Sequence, residues 1–272
     1  MIQYPHCKIN LGLSIVAKRA DGFHELETVF YPVALKDILE ITPAKTNDAT
    51  SFSNSGLAIP GDSINNLCLK AYHLLKADFP SLPEIQMHLH KIIPMGAGLG
   101  GGSSDGTSAL KILNALFQIG LSLEQLMLYA EKLGSDCPYF LYDTPCHATG
   151  KGELLSPIEC NLSNYSIVLL HPGIHIATPW AFQQIMPCKK DKLIAAIIQQ
   201  PISTWKQELM NDFEAPVIQA HPIIGALKND LYQQGAVYAS MSGSGSSLYG
   251  IFEKNKKYQK SDLSNNVRID TV

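Results

Sequence analysis

The sequence predicts a mixed fold of helices and strands in two halves, and three observations support this prediction. The chain begins with antiparallel, hairpin-like strand patterns. The glycine-rich stretch Pro94–Ala109 runs directly into a segment with helical periodicity. Between Thr144 and Asn164 the composition shifts to glycine, proline, serine and glutamate, which indicates a crossing between the two halves.

Length and composition are typical of an ordinary soluble globular protein. The chain has 272 residues, of which 46% are hydrophobic and 17% charged, so one large or two modest domains are expected. Its formal net charge of -3 argues against a broad electrostatic surface for nucleic acid. A small anionic ligand, bound locally, is compatible with this charge.

Cysteine usage and the apolar runs favour a cytoplasmic location. The six cysteines include no C-x-x-C pair, so the sequence signals neither a zinc site nor a disulfide framework. The first residues lack a basic region followed by an apolar core, and no apolar run approaches the roughly 20 residues that span a bilayer. We therefore expect a cytoplasmic protein without a membrane partner.

Alternating residues predict a first strand that carries polar side chains on one face. This strand covers Cys7–Ile15, and Lys8 and Asn10 project from its polar side. The pattern alone favours a solvated face there. The next predicted elements are strands over Leu26–Val33 and Asp37–Thr42, a helix over Asn65–Ala77 and a strand over Ile85–His90.

Asp136 lies in a short connection after a capped helix. Ser122 and Gln125 form a capping-box pattern at the start of a predicted helix over Leu123–Leu133. Asp136 then either caps the helical turn Pro138–Leu141 or faces a ligand, and the local sequence leaves both interpretations open.

The second half is predicted to contain both strands and helices. Its last two predicted strands flank a loop of small residues, Ser242–Ser246. Strands are predicted over Tyr165–Leu170, Ala236–Met241 and Ser247–Phe252, with helices beginning at Thr178, around Lys190–Gln199 and over Ile223–Gln234.

The glycine loop that feeds a helix is the strongest functional signal in the sequence. Unpaired N–H groups converge at a helix start, and the peptide dipoles add roughly half a positive charge, so phosphate binds well there. Gly96, Gly98 and Gly101 also match the dinucleotide pattern G-x-G-x-x-G, but the acidic residue that should end a second strand is missing. A P-loop would need a lysine where Ser103 stands, and a merely structural turn would not need three consecutive glycines.

Hydroxyl groups after the glycines extend this anion site. Ser103, Ser104 and Thr107 can supply hydroxyls to phosphate oxygens or to a magnesium ion. Asp105 would repel phosphate unless it points away or faces a cation. Mg²⁺ is therefore implied, without assigned ligands.

Two sets of segments carry a resemblance to known proteins. The first set is Lys8–Asn10, Pro94–Ser104 and Ser242–Gly245, which together resemble the motifs of the galactokinase, homoserine kinase, mevalonate kinase and phosphomevalonate kinase superfamily. The second set is Arg19–His24, Gly134–Phe140 and His171–Gly173, which resemble the branch of this superfamily that phosphorylates a cytidine diphosphate-linked methylerythritol.

The resemblance implies an α+β, two-domain small-molecule kinase fold. It places an ATP-binding domain at residues 1–155 and a C-terminal substrate-binding domain at 156–272. The implied activity is transfer of the γ-phosphoryl group of ATP to the 2-hydroxyl of the methylerythritol unit, in non-mevalonate isoprenoid precursor synthesis. ATP and Mg²⁺ are the implied cofactors, and the chain would act as a monomer or homodimer.

The resemblance also implies roles for individual residues. Lys8 and Asp136 match a catalytic pair, with Asp136 as the base and Lys8 orienting it and holding the substrate hydroxyl. The implied nucleotide contacts are Asn65, Lys91, Pro94, Gly96, Gly98, Leu99, Gly100, Gly101, Gly102, Ser103 and Ser104, and the implied substrate contacts are Asn10, Phe23, His24 and Phe182. His24 would hydrogen-bond the cytosine and Phe182 would stack on it.

Phe23 departs from the family pattern, in which a tyrosine commonly lies against the cytidine. Stacking survives this change but a hydroxyl hydrogen bond does not. Two other functions stay open on the sequence alone. The chain could phosphorylate a different small alcohol, or it could bind ATP without consuming it.

Overall fold

The structure is a computed structural model that describes residues 1–46, 48–61, 65–265 and 267–272. Within this part the chain divides into two compact units. The first unit comprises Met1–Cys7, Ala34–Met95 and Gly100–Asp143, and the second comprises Lys8–Val33, Gly96–Leu99 and Thr144–Val272. This grouping follows compactness instead of a single cut along the chain, so the boundary after residue 155 stays a prediction.

The described residues form strands and short to medium helices. In chain order the strands are β1 (Ile2–Gln3), β2 (His6–Lys18), β3 (His24–Lys36), β4 (Ile38–Pro43), β5 (Ser51–Gly56), β6 (Ile85–Lys91), β7 (Cys146–Thr149), β8 (Leu154–Pro157), β9 (Tyr165–His171), β10 (Tyr238–Met241), β11 (Leu248–Glu253) and β12 (Arg268–Thr271). The helices are α1 (Leu67–Asp78), α2 (Gly101–Leu116), α3 (Leu123–Leu133), α4 (Tyr139–Tyr142), α5 (Thr178–Gln183), α6 (Ile194–Ile198), α7 (Ile202–Glu208), α8 (Glu214–Ala220) and α9 (Pro222–Gln233).

The first unit packs helices against a four-stranded sheet. The strand order is β1-β4-β6-β5, in which β5 runs parallel to β6 and the other pairs are antiparallel. Alternate residues of β6, Ile85, Met87 and Leu89, are buried in one apolar cluster with residues of α1, α2 and α3. Strand alternation therefore places the core on one face of the sheet.

Helix α2 packs closely against α1. A Cβ atom on Gly106 would lie 2.7 Å from Leu67 Cβ, so this contact requires glycine. Helix α3 has the predicted bounds. Its start is fixed by the capping box, in which the Ser122 hydroxyl accepts a hydrogen bond from Gln125 N–H and the Gln125 side chain accepts one from Ser122 N–H.

The second unit contains two four-stranded sheets. Their strand orders are β2-β3-β7-β8 and β10-β11-β9-β12, and the second sheet is antiparallel throughout. Apolar residues of β9, β10 and β11 form the core with α8 and α9. No helix in the described ranges combines the length and apolarity needed to cross a membrane.

Several elements of the second unit differ from the sequence prediction. The stretch predicted as a crossing between halves contains β7 and β8, which pair in register from Cys146 opposite Pro157. Helices α7 and α8 and strand β12 were not expected. These segments are short, and their burial comes from neighbours that are distant in sequence, so their local periodicity is weak.

A buried ion triad holds the start of α2 against the sheet of the first unit. Lys91 Nζ donates to Asp37 Oδ2 at 2.5 Å and to Asp105 Oδ2 at 2.6 Å, and none of the three side chains is more than 4% exposed. Asp37 Oδ1 also accepts from the N–H groups of Ile92 and Ile93. Asp105 Oδ1 has no partner among the described residues.

The two carboxyl groups of this triad therefore differ in their hydrogen bonding: both oxygens of Asp37 accept hydrogen bonds, but only one oxygen of Asp105 does. Burial raises the pKa of Asp105 to about 8, with the nearby Asp37 carboxylate acting in the same direction and Lys91 opposing it. An aspartyl carboxyl in the unfolded chain titrates near 4. Between these two values the folded state binds more protons than the unfolded state, so stability falls as pH rises.

We predict that Asp105→Asn flattens this pH dependence. The amide keeps an oxygen for Lys91 but cannot ionise, so the free energy of unfolding should no longer decline between about pH 5 and pH 8. Asp37→Asn is the contrasting variant and should destabilise the fold by about 3–5 kcal/mol. Both oxygens of Asp37 accept hydrogen bonds, so an amide would lose one acceptor beside the buried ammonium. Urea unfolding of all three proteins at pH 5.5 and 8.5 measures this, and an unchanged slope in Asp105→Asn would contradict it.

Candidate active site

Helix α2 begins with an open N-terminus in the first unit. Gly100 precedes it in a left-handed conformation with φ 69°, and no side chain caps the helix. Ser103 is partly exposed at this end and Ser104 is buried. The backbone N–H groups of the first turn are therefore available to an anion, as the sequence predicts.

A cavity of about 220 Å³ opens beside this helix start. Its lining includes Asn65 and Gly102, two of the predicted nucleotide contacts, together with Asn66 and Asp105. Apolar side chains such as Phe52 and Ile59 line the remainder. The cavity therefore combines an apolar wall with a few amide and carboxyl groups, which is typical of a small-molecule site.

Lys91 is a predicted nucleotide contact, but its side chain forms ion pairs inside the first unit. Its ammonium group is held between Asp37 and Asp105 and has no exposed surface. The pKa of Lys91 is raised, since the two carboxylates outweigh the lowering effect of burial. The side chain is thus buried in an ion triad whose partners lie 54 and 14 residues away, so the sequence gives no local signal for it. The nucleotide contact of Lys91 stays a prediction.

Asp105 and Thr107, in the same helix, are also turned inward. Asp105 faces the Lys91 ammonium. We expected repulsion of phosphate by Asp105 unless it faced a cation, and this condition is met. Thr107 Oγ1 donates to the Cys137 carbonyl at 2.8 Å and is fully buried, so its hydroxyl is already used. The serine hydroxyls remain as candidates for a ligand.

Asp136 lies in the turn between α3 and α4 of the first unit. Its side chain is partly exposed, and Pro138, not Asp136, occupies the N-cap position of α4. The capping interpretation is therefore not supported, and the ligand-facing interpretation stays a prediction. The adjacent Cys137 thiol is inert, since burial raises its pKa to about 11.

Lys8 and Asn10 form a buried polar pair in the second unit. Lys8 Nζ donates to Asn10 Oδ1 at 2.7 Å and lies 4.8 Å from the centroid of the Phe30 ring. Both side chains are at most 4% exposed, which corrects the expectation of a solvated strand face. Asn10 thus holds Lys8 directly, and its predicted contact with substrate stays a prediction.

The loop segment Gly96–Leu99 is fastened within the same unit. Lys8 N–H donates to the Leu99 carbonyl at 2.9 Å, and Ser242 Oγ donates to the Gly98 carbonyl at 2.8 Å. A Cβ atom on Gly98, whose φ is 79°, would overlap the Ser242 carbonyl. All three motifs therefore meet here through backbone groups: Leu99 contacts Lys8, and Gly98 contacts Ser242.

Asn211 supports the loop Ser242–Ser246 and was missed by the sequence reasoning. Its Nδ2 donates to the carbonyls of Met241 and Gly243 at 2.8 and 2.9 Å, and its Oδ1 accepts from Phe213 N–H. A single Asn-Asp-Phe tripeptide gives no local signal for such a role. The partners lie 30 and 32 residues away, so only the fold reveals it.

The predicted cytosine contacts form an aromatic group in the second unit. The His24 and Phe182 rings stack with centroids 4.9 Å apart and an interplanar angle of 18°. Phe182 also meets Phe213 edge-on at 4.9 Å. Phe23 is 57% exposed, and Lys151 Nζ lies 4.8 Å from its ring centroid.

Comparison with known proteins gives consistent matches over nearly the whole chain. The family of GHMP kinases N terminal domains matches residues 66–144, and that of GHMP kinases C terminal domains matches 193–264. The 4-diphosphocytidyl-2-C-methyl-D-erythritol kinase of Bacteroides thetaiotaomicron is 49% identical over 98% of this chain and 97% of that protein. Its counterpart from Cytophaga hutchinsonii is 48% identical over 97% of each chain.

Solved structures agree with these sequence matches. A crystal structure of 4-(cytidine 5'-diphospho)-2C-methyl-D-erythritol kinase is 31% identical, with a TM-score of 0.79 over 92% of this chain and 90% of that one. Methanococcus jannaschii mevalonate kinase, at 14% identity, has a TM-score of 0.70 over 100% of this chain and 97% of its own, which shows a shared fold. The superfamily and α+β fold expected from the motifs are thereby confirmed, and the chain belongs to the 4-diphosphocytidyl-2-C-methyl-D-erythritol kinase family of the GHMP kinases.

Proposed function

We propose that this chain transfers the γ-phosphoryl group of ATP to the 2-hydroxyl of 4-diphosphocytidyl-2-C-methyl-D-erythritol. The products are the 2-phosphate, ADP and a proton. The observation that carries this proposal is the 49% identity over 98% of the chain to a relative named as that kinase. The reaction belongs to non-mevalonate isoprenoid precursor synthesis, and its charged nucleotide substrates suggest the cytoplasm as its location.

The start of α2 supports ATP as the phosphoryl donor. Its uncapped N–H groups and the left-handed Gly100 before it fit a phosphate group, since an anion supplies the missing acceptors. The cavity lined by Asn65 and Gly102 offers an apolar wall for the nucleoside next to that site. We assign the phosphates to Gly100–Ser104 and the nucleoside to this cavity.

Magnesium is the expected partner of the phosphates. When bound, it would neutralise negative charge that develops on the phosphates during transfer. Among the described residues no cluster of three His, Cys, Asp or Glu side chains could hold a metal by itself. The partly exposed Ser103 hydroxyl is the protein contact that we propose for this ion, and a contact from the buried Ser104 stays a prediction.

Lys8 and Asp136 are proposed to act on the acceptor hydroxyl. Phosphoryl transfer is usually loose, so positioning and charge stabilisation contribute more than the strength of the base. The Lys8 ammonium, oriented by Asn10, would hold the hydroxyl and stabilise developing negative charge. Asp136 would orient the hydroxyl and accept its proton.

His24 and Phe182 are proposed to recognise the cytosine. Their centroids are 4.9 Å apart, whereas two stacking intervals of about 3.5 Å would be needed for a base between them. The base therefore stacks on Phe182 only if the imidazole moves away from that ring. The displaced His24 then becomes the group that hydrogen-bonds the base, while Phe23 offers a second apolar ring.

An acceptor panel tests the proposed function. ATP consumption is measured with 4-diphosphocytidyl-2-C-methyl-D-erythritol and, in parallel, with mevalonate, homoserine and galactose. We expect turnover on the first alone and competition by cytidine diphosphate. Turnover on another alcohol, or tight ATP binding without consumption on any, would overturn the proposal.

We predict that Asp136→Asn lowers kcat by about 10²–10⁴-fold and leaves ATP binding unchanged, because it removes a group used in the transition state. Steady-state kinetics and ATP titration measure the two effects. Asp143→Asn is the matched control, since Asp143 pairs with His6 and Lys111 and its left-handed backbone suits asparagine. Near wild-type turnover of Asp136→Asn removes Asp136 from the mechanism.

We also predict that Phe182→Leu raises KM for the cytidine substrate about tenfold and leaves KM for ATP unchanged. The loss of an aromatic stacking partner contributes about 1–1.5 kcal/mol, which corresponds to that factor. Phe117→Leu, at the C-terminal end of α2, is the control for aromatic loss elsewhere. Equal changes of both KM values in Phe182→Leu would argue against cytosine stacking on this ring.

A further inference from the structure

We propose that Thr28 is a positioning residue for phosphoryl transfer, because its hydroxyl fixes the orientation of the Asn10 amide that holds Lys8. This inference rests on the proposed function and deepens its account of Lys8. All three residues belong to the second unit, on the neighbouring strands β2 and β3.

The direction of each hydrogen bond follows from the single proton on the Thr28 hydroxyl. Thr28 Oγ1 donates to the Gly12 carbonyl at 2.5 Å, and a carbonyl can only accept. The same oxygen lies 3.0 Å from Asn10 Nδ2, where it must therefore accept. The NH₂ group of Asn10 is thus assigned to the Thr28 side, and its oxygen to the opposite side.

This assignment decides which atom of Asn10 faces the Lys8 ammonium. With the amide nitrogen toward Thr28, Asn10 Oδ1 lies 2.7 Å from Lys8 Nζ and accepts a charge-assisted hydrogen bond. A flipped amide would direct N–H groups at the ammonium. Asn10 is 2% exposed, so water could not compensate for that repulsion.

Hydrogen bonds that do not involve Thr28 hold the backbone of Asn10, so the side-chain amide is the part that can change orientation. Tyr249 OH donates to the Asn10 carbonyl at 2.7 Å, and Asn10 N–H donates to Ser242 Oγ at 3.3 Å. Only rotation of the side-chain amide then changes the atom that Lys8 meets. Thr28 accepts from the nitrogen of that amide and so favours the observed rotation, while Ser242 Oγ lies 3.4 Å from its oxygen.

The test compares Thr28→Val with Thr28→Ser. Valine has the shape of threonine but no hydroxyl, whereas serine keeps the hydroxyl and loses only a methyl group. We expect Thr28→Val to lower kcat about tenfold with KM for ATP unchanged, because a charge-assisted contact is disturbed in the transition state. Thr28→Ser should restore kcat to within about threefold of the wild type.

A double-mutant cycle with Asn10→Asp separates orientation from packing. A carboxylate presents an oxygen on either side, so Lys8 keeps an acceptor whichever way the group turns. We expect Thr28→Val to lower kcat by less than about threefold in the Asn10→Asp background, against about tenfold in the wild-type background. Thermal melting of every variant, with Ser264→Ala as a control that loses another buried hydroxyl, checks that the fold is retained.

Three results would overturn the positioning role. They are a Thr28→Val variant with kcat within twofold of the wild type, equal losses in valine and serine variants, or equal losses in the two Asn10 backgrounds. An inactive wild-type chain in the acceptor panel overturns the proposed function instead. The two failures are therefore distinguishable.

Discussion

The ammonium group of Lys91, buried between the carboxyl groups of Asp37 and Asp105, is the constraint on which the first unit depends. It joins the end of β6, the residue that precedes β4 and the first turns of α2 through one charged atom. Asp37 adds hydrogen bonds to the two N–H groups that follow β6, so the chain leaves the sheet in one direction. Because water cannot replace any partner in this interior, the glycine-rich helix start has a fixed anchor although glycine itself supplies no side chain.

The second unit fixes both Gly96–Leu99 and the loop Ser242–Ser246 mainly through neutral hydrogen-bonding groups. Ser242 and Asn211 donate to backbone carbonyls, and each bond joins segments that are far apart in sequence. Lys8 contributes twice, through its backbone N–H to Leu99 and through its side chain to Asn10. Glycine and serine are thus required in these motifs because backbone segments lie close together there, and asparagine and serine donors hydrogen-bond the carbonyls that face them.

Sequence reasoning was accurate where the determinant is local. The capping box of α3 and the alternation of β6 predicted those elements, because both signals lie within a few residues. Distant partners leave no such signal: the ion pair of Lys91 with Asp37, 54 residues earlier, is visible only in the fold. Strands β7 and β8 were missed because glycine and proline obscure their pattern, and Thr28 was missed because its role depends on Gly12 and Asn10 across the sheet.

The stack of His24 on Phe182 has a consequence for selectivity. The face of Phe182 is already covered by His24, and such a pair is stabilised by about 1 kcal/mol beyond area burial. A ligand that merely covers Phe182 gains little, since it has to displace a contact of similar strength, equivalent to a factor of about 5 in affinity. A ligand that also offers hydrogen-bonding partners to the released imidazole recovers this loss. In the proposed cytosine site, the stacked ring pair would therefore compete with flat apolar molecules for the face of Phe182.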